Sequence, residues 1–306
     1  MPKVDNNEIV SACIKRWNAD DSRIAYFSDH FDEWILQIPD NIYEIVLRLL
    51  EKFEYYSQES MNCSLYELGR MLDSCETYND DVSVYTHIPS KKGIENSSID
   101  CLIDYKNMHG VSKYKMVFDL KRYIETHDKQ IENVVIIDDF CGSGSSLKSF
   151  FEAYGEWFSG KTVYYLVTYA MDEAVQALYT AATEYNVTLH VLFTNHAVKA
   201  FNNIAITDTP DEARKLIKSF SQSVDIPRDR RLGKYKSESL VSFYSDTPNN
   251  TIGIFCYDTE KYFSIFPRAR ESSETVKRPT PLSMREEKKQ RNIQNYNASA
   301  KETLYE

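Results

Sequence analysis

Residues 134–147 read "VVIIDDFCGSGSSL". Four apolar residues run into two carboxylates, and a loop of glycine and serine follows. The Val/Ile run suits a strand buried on both faces, as in a parallel sheet. "SSLKSFFEAYGEWF" (145–158) reads as the helix after it. Downstream come a strand over 161–170, a helix over 172–185 and a strand over 187–193. Strand, helix, strand, helix, strand implies parallel pairing through right-handed crossovers. In open parallel sheets ligands bind at the carboxyl ends of the strands, and Asp138 and Asp139 stand at such an end.

Working outward, "VSVYTHI" (82–88) and "IDCLIDY" (99–105) read as strands, and "YKMVFDLKRYIETH" (114–127) as a helix. The first seventy-odd residues read as helical. The clearest case is "PDNIYEIVLRLLEKF", which Asp40 can cap and where Ile42, Ile45, Val46, Leu49, Leu50 and Phe53 share a face. Residues 210–222 read as a helix, and 239–245 and 251–257 as two more strands. The expected organisation is an N-terminal helical region (1–78) packed on an α/β domain (79–270), with a polar C-terminal extension (271–306). The expected fold is α/β, a mainly parallel sheet flanked by helices.

Composition narrows the chemistry. The chain has 306 residues, 42% of them hydrophobic, and a net charge of −10. Bulk electrostatic binding to nucleic acid needs many cations and is disfavoured; only the basic cluster at 277–291 offers a local exception. The six cysteines include no CxxC pair, which argues against zinc. No signal peptide or long apolar span is visible, so the expected location is the cytoplasm, with free thiols and no membrane contact.

The loop after Asp139 fits a phosphate. Unpaired N–H groups and the dipole at a helix N-terminus favour an anion. Gly142 and Gly144 let the backbone approach closely, and Ser143, Ser145 and Ser146 offer hydroxyls. Carboxylates beside a phosphate make sense if they accept hydrogen bonds from sugar hydroxyls or face a divalent cation, and Mg²⁺ prefers carboxylates plus substrate phosphates. The stretch is neither GxxxxGK[ST] nor GxGxxG. The plainer reading is a polar turn in which Asp139 or a serine caps the next helix. The double Asp combined with the small-residue loop tells against it.

These residues resemble the ribose-phosphate signature of type I phosphoribosyltransferases. Asp138 and Asp139 match its acidic pair, and Ser143, Gly144, Ser145 and Ser146 match its Thr-Gly-x-Thr-like loop. The resemblance implies a type I phosphoribosyltransferase-like fold and a phosphoribosyl pyrophosphate ligand. The acidic pair would hold ribose hydroxyls and the loop the 5′-phosphate. A second stretch, "LVSFYSDTPNNTIGIFCY" with "FSIFPR" after it, is similar to the PRTase-CE group of bacterial conflict and defence systems. Thr247 to Thr251 and Phe266 to Arg268 carry that similarity. It implies a role in anti-phage defence, with protein partners in a defence complex.

The chain departs from housekeeping phosphoribosyltransferases in two places. No motif identifies a base-reading hood, and the best candidate for a pyrophosphate loop is "PSKKGIENSS", with Lys91, Lys92 and Gly93. Elsewhere, His87 could face the site, His190 reads as core, and Asn195 and His196 could reach a ligand. Cys141 is either a nucleophile activated by the helix terminus or a small loop filler; the resemblance places it in the phosphate loop. Asn249 and Asn250 can simply make a turn. Two functions fit. One is an enzyme acting at the ribose anomeric carbon with Mg²⁺, with Asp138 and Asp139 catalytic and near the metal indirectly, and with phosphoribosyl pyrophosphate or a nucleotide bound at 141–146. The other is a non-catalytic nucleotide-sensing or scaffolding subunit.

Overall fold

The computed structural model describes residues 6–89, 97–126 and 131–268. Lys91, Lys92 and Gly93, and the extension from 271, lie outside the described residues. In chain order the elements are α1 (Asn6–Trp17), α2 (Ser22–Leu36), α3 (Asp40–Glu51), β1 (Glu54–Tyr56), α4 (Gln58–Asp73), β2 (Ser83–His87), α5 (Ser97–His109) and β3 (Met116–Val117). There follow α6 (Leu120–Thr126), β4 (Asn133–Cys141), α7 (Ser145–Phe158), β5 (Thr162–Met171), α8 (Asp172–Glu184) and β6 (Thr188–Ala197). Last come α9 (Pro210–Ser223), β7 (Val241–Phe243) and α10 (Gly253–Cys256). The chain forms two compact units, one of residues 57–199 and one that combines the residues up to Tyr56 with those from Ala200 on. The boundary expected at 78/79 falls within the first of these, between α4 and β2.

Unit 57–199 is the α/β body. Its five strands lie in the order β3-β2-β4-β5-β6, all parallel. β4 and β5 are the central pair in length and burial: Val134, Val135, Ile136 and Ile137 are all fully buried, as are Val163, Leu166 and Val167. That is why the sequence shows continuous apolar runs here and not alternation. The expected α/β class with a mainly parallel sheet is observed.

Two segments of this unit differ from expectation. Residues 99–105 are not a strand but the middle of α5. Their apolar letters suggest alternation, yet the buried positions are Ser98, Cys101, Leu102 and Tyr105, the spacing of one helical face. The helix expected from 114 begins only at Leu120, with Asp119 accepting a hydrogen bond from Arg122 N (3.0 Å). Ahead of it, Met116 and Val117 form the sheet edge, paired with Tyr85 and Thr86, and Thr86 Oγ1 donates to Val117 O (2.7 Å).

The other unit packs α1–α3 against the segment after Ala200. Its core is aromatic. Phe266 lies against Phe53 (4.8 Å between centroids), Phe27 (5.5 Å), Trp17 (5.5 Å) and Tyr55 (5.7 Å). α3 begins at Asp40 with Pro39 in the cap position and no side-chain cap, so Asp40 does not serve as the expected cap. Residues 54–56 interrupt the helices as a strand that pairs in parallel with β7. The strand expected over 251–257 is a single bridge, Thr251 to Ser239, followed by the short helix α10. A short, wholly apolar run buried on all sides carries no periodicity to separate the two states.

Candidate functional site

The path of the chain through the sheet locates the site. From β2 the chain moves outward to the edge strand β3, and from β4 it moves the opposite way to β5 and β6. β2 and β4 are neighbours, so the connections part between their carboxyl ends. This is the switch point where open parallel sheets bind ligands. β4 also outruns β2: pairing with β2 ends at His87–Ile137, while pairing with β5 continues to Cys141–Ala170. Asp138 and Asp139 therefore occupy the stretch of β4 exposed on the β2 side.

The two carboxyls lie within reach of each other but are held by different partners. Asp138 is 8% exposed. Its Oδ2 accepts from the Tyr165 hydroxyl (2.8 Å) and its Oδ1 from Asp139 N (3.1 Å). Asp139 is half-buried and is hydrogen-bonded by the Ser97 side chain at the start of α5. The next residue, Ser98, fastens that helix terminus to the sheet. Its hydroxyl donates to Ile137 O (2.5 Å) and accepts from Ile88 N (3.0 Å).

Burial pushes both carboxyls above the usual carboxylate range. For Asp138 the neighbouring charge of Asp139 adds to that and the Tyr165 hydroxyl opposes it. For Asp139 the Ser97 hydroxyl is the largest opposing influence. Two adjacent buried acids titrate as a pair, and a cation or a set of hydroxyl donors would favour their ionised form.

The loop brings its small residues together. Gly144 precedes α7 with φ of +70°, a left-handed conformation in which glycine is unstrained. A Cβ there would stand 3.1 Å from Ala174 O and from Leu178. Ser143 Oγ donates to Ser145 Oγ (3.0 Å) and accepts from Ser145 N (3.4 Å). Gly142, Ser143 and Ser145 are half-buried and Ser146 is exposed. The N-terminus of a fourteen-residue helix thus opens beside the carboxylate pair. Cys141 is buried, and desolvation pushes its thiol up to about 12. Burial outweighs the hydrogen bond from the Gly144 backbone, which acts the other way.

Other candidate residues lie on β2 and β6. His87 ends β2, buried, with its pKa lowered by desolvation and its Nδ1 without a partner among the described residues. β6 runs to Ala197, so Asn195 and His196 lie in the strand and not after it. His196 Nδ1 is 2.7 Å from Asp172 Oδ1, at the start of α8. His190 stacks on Tyr164 (5.0 Å between centroids) as part of the packing. Sequence reasoning missed Tyr165, Ser97 and Ser98. Tyr165 sits in an apolar run, and the two serines sit in what reads as a turn, so nothing in the sequence marks them.

Among the described residues no group of three His, Cys, Asp or Glu side chains could hold a metal. Both oxygens of Asp138 already accept hydrogen bonds. The described residues do not by themselves supply the donor set of a resident metal.

The motifs of the second resemblance are structural. Thr247 Oγ1 donates to Phe266 O (2.8 Å), accepts from Arg23 Nη2 (2.6 Å) and pairs with Ser242 Oγ (2.7 Å). Thr251 Oγ1 donates to Val241 O (2.7 Å). Asn249 and Asn250 supply carbonyls to Lys234 N (2.8 Å) and Ser237 Oγ (2.7 Å), and Phe266 is the centre of the aromatic core. No curated protein and no solved structure is significantly similar to the chain. A family model, PRTase-CE, matches residues 31–268, which include the acidic pair, the glycine-serine loop and the Thr247–Thr251 turn. The chain belongs to the PRTase-CE family, a group of phosphoribosyltransferase-like proteins.

Proposed function

We propose that the 57–199 unit binds phosphoribosyl pyrophosphate, or a related nucleotide, together with Mg²⁺, and acts at the ribose anomeric carbon as an effector in bacterial anti-phage defence. The observation that carries this reading is the adjacent pair of carboxyls at the switch point, one buried and one half-buried, directly ahead of a glycine-started helix. Withdrawing two adjacent acids from water is unfavourable without a counterpart. Ribose hydroxyls donating to Asp139, and a cation nearby, would supply it. Backbone N–H groups of 143–146 and the serine hydroxyls would take the 5′-phosphate. Asp138, held by Tyr165, would position Asp139 and add negative potential where the anomeric carbon becomes positive. Mg²⁺ would neutralise the leaving pyrophosphate.

Isothermal titration with phosphoribosyl pyrophosphate and Mg²⁺, run beside the Asp138→Asn/Asp139→Asn double variant and with assay of released pyrophosphate, tests the reading. Binding that requires the aspartates, with release, is the expected result. Binding without release would support the sensing or scaffolding alternative. No binding would refute the ligand assignment. The defence role predicts that the gene, with its neighbours, lowers phage plating efficiency and that the double variant does not.

A further inference from the structure

The segment 228–236, "RDRRLGKYK", carries five cations and one acid in a chain of net charge −10. Arg231 is tied to Ile226 O (3.1 Å) and Gln222 Oε1 (2.9 Å), and Arg230 lies 3.5 Å from Asp229. Arg228, Lys234 and Lys236 have no acidic partner among the described residues. Between the lysines stands Tyr235, 62% exposed in a unit whose other large aromatics are mostly core. Lys234 Nζ lies 5.2 Å from the centre of its ring.

The backbone that presents this ring is strained. Tyr235, Lys236 and Glu238 have φ of 59°, 55° and 53°, a region that bulky residues avoid. The surroundings hold it there. Lys234 N donates to Asn249 O (2.8 Å), Asn250 Nδ2 to Lys234 O (3.2 Å), and the Ser237 hydroxyl to Lys234 O (2.9 Å) or Asn250 O (2.7 Å). Buried Glu238 is clamped by Arg214 through Nε (2.7 Å) and Nη2 (3.1 Å). The backbone that carries the ring is thus held in one conformation by its neighbours.

We infer that the 228–236 turn is a contact site for single-stranded nucleic acid. An unpaired base stacks on Tyr235, while Lys234, Lys236 and Arg228 meet the flanking phosphates. Aromatic rings interleaved with cations are what sequence-tolerant single-strand binding uses. Duplex bases are already stacked and offer no face to the ring. This site does not depend on the ligand proposed for the 57–199 unit.

The test is fluorescence anisotropy of a labelled fifteen-nucleotide oligothymidylate with the full chain. Three phosphate contacts predict a loss of affinity of about tenfold to twentyfold between 50 and 200 mM salt. Tyr235→Ala should weaken binding at least about fivefold, and Tyr235→Phe should keep it. Tyr235→Gly, which also relieves the left-handed backbone, should behave as Tyr235→Ala with folding preserved. Lys234→Glu/Lys236→Glu should abolish binding. No binding at 50 mM salt, equal binding by the Tyr235→Ala variant, preference for duplex, or a Tyr235-dependent preference for anionic vesicles would each overturn the assignment.

Discussion

Tyr165→Phe removes one oxygen from the protein and should do disproportionate damage. Tyr165 is 2% exposed, and its hydroxyl donates to a carboxylate oxygen of Asp138, itself 8% exposed, at 2.8 Å. The variant leaves no cavity larger than that oxygen. It strands a buried acceptor that water does not readily reach. A hydrogen bond to a charged group contributes about 1.5–3 kcal/mol, against about 0.5–1.5 for a neutral one. The loss should therefore approach about 1.5–3 kcal/mol once the pH exceeds the raised pKa of Asp138, which for a unit of this size is about 3–12 °C in Tm. The pH dependence identifies the cause. The hydroxyl lowers the Asp138 pKa, so its removal raises it further. The penalty should be smallest in acid, where Asp138 is protonated in both proteins, and should grow as pH rises. In the Asp138→Asn background it should fall to the neutral value. Urea unfolding followed by hydrogen exchange of β4 peptides, from pH 4 to 8, measures all of this. A loss below about 0.5 kcal/mol, or one equal at every pH, would refute the description of Asp138 as a buried acid held by Tyr165.

Three further outcomes are expected. Asp138→Asn/Asp139→Asn should make the free protein more stable at neutral pH. Both folded-state pKa values lie above the ordinary 3.8, so the wild type loses stability as pH rises from that value through the folded ones; the gain should vanish at acid pH in thermal melts. Gly144→Ala forces a Cβ into a left-handed position 3.1 Å from Ala174 O and should cost about 1–3 kcal/mol, with weaker binding of ribose 5-phosphate by titration. Iodoacetamide at pH 8 should label exposed Cys63 quickly and leave Cys141 unlabelled until the protein unfolds, as peptide mass mapping would show.

The central strands and the acidic pair were legible in the sequence because each rests on a local pattern. A Val/Ile run that ends in two acids and a glycine-serine loop has few structural solutions, and α7, β5 and α8 follow in readable alternation. Where burial surrounds a segment, the pattern fails. α5 looked like a strand because Ile99, Cys101, Ile103 and Tyr105 fall at every second position; its buried face is set by what α4 and β4 present to it. Met116 and Val117 are a strand only because β2 leaves an edge to pair with.

By itself the sequence determined the α/β class, the order of β4, α7, β5, α8 and β6, and the residues of the ribose-phosphate signature. These follow from side-chain period and backbone freedom, which act over a few neighbours. Only the tertiary structure decided that the signature stands at a switch point, that Tyr165 holds Asp138 while Ser97 holds Asp139, and that Cys141 is buried. It also decided that the Thr247–Thr251 turn and Phe266 hold together a unit built from both ends of the described chain. Those properties depend on partners that are distant in sequence, and on a desolvation that no single stretch of residues encodes.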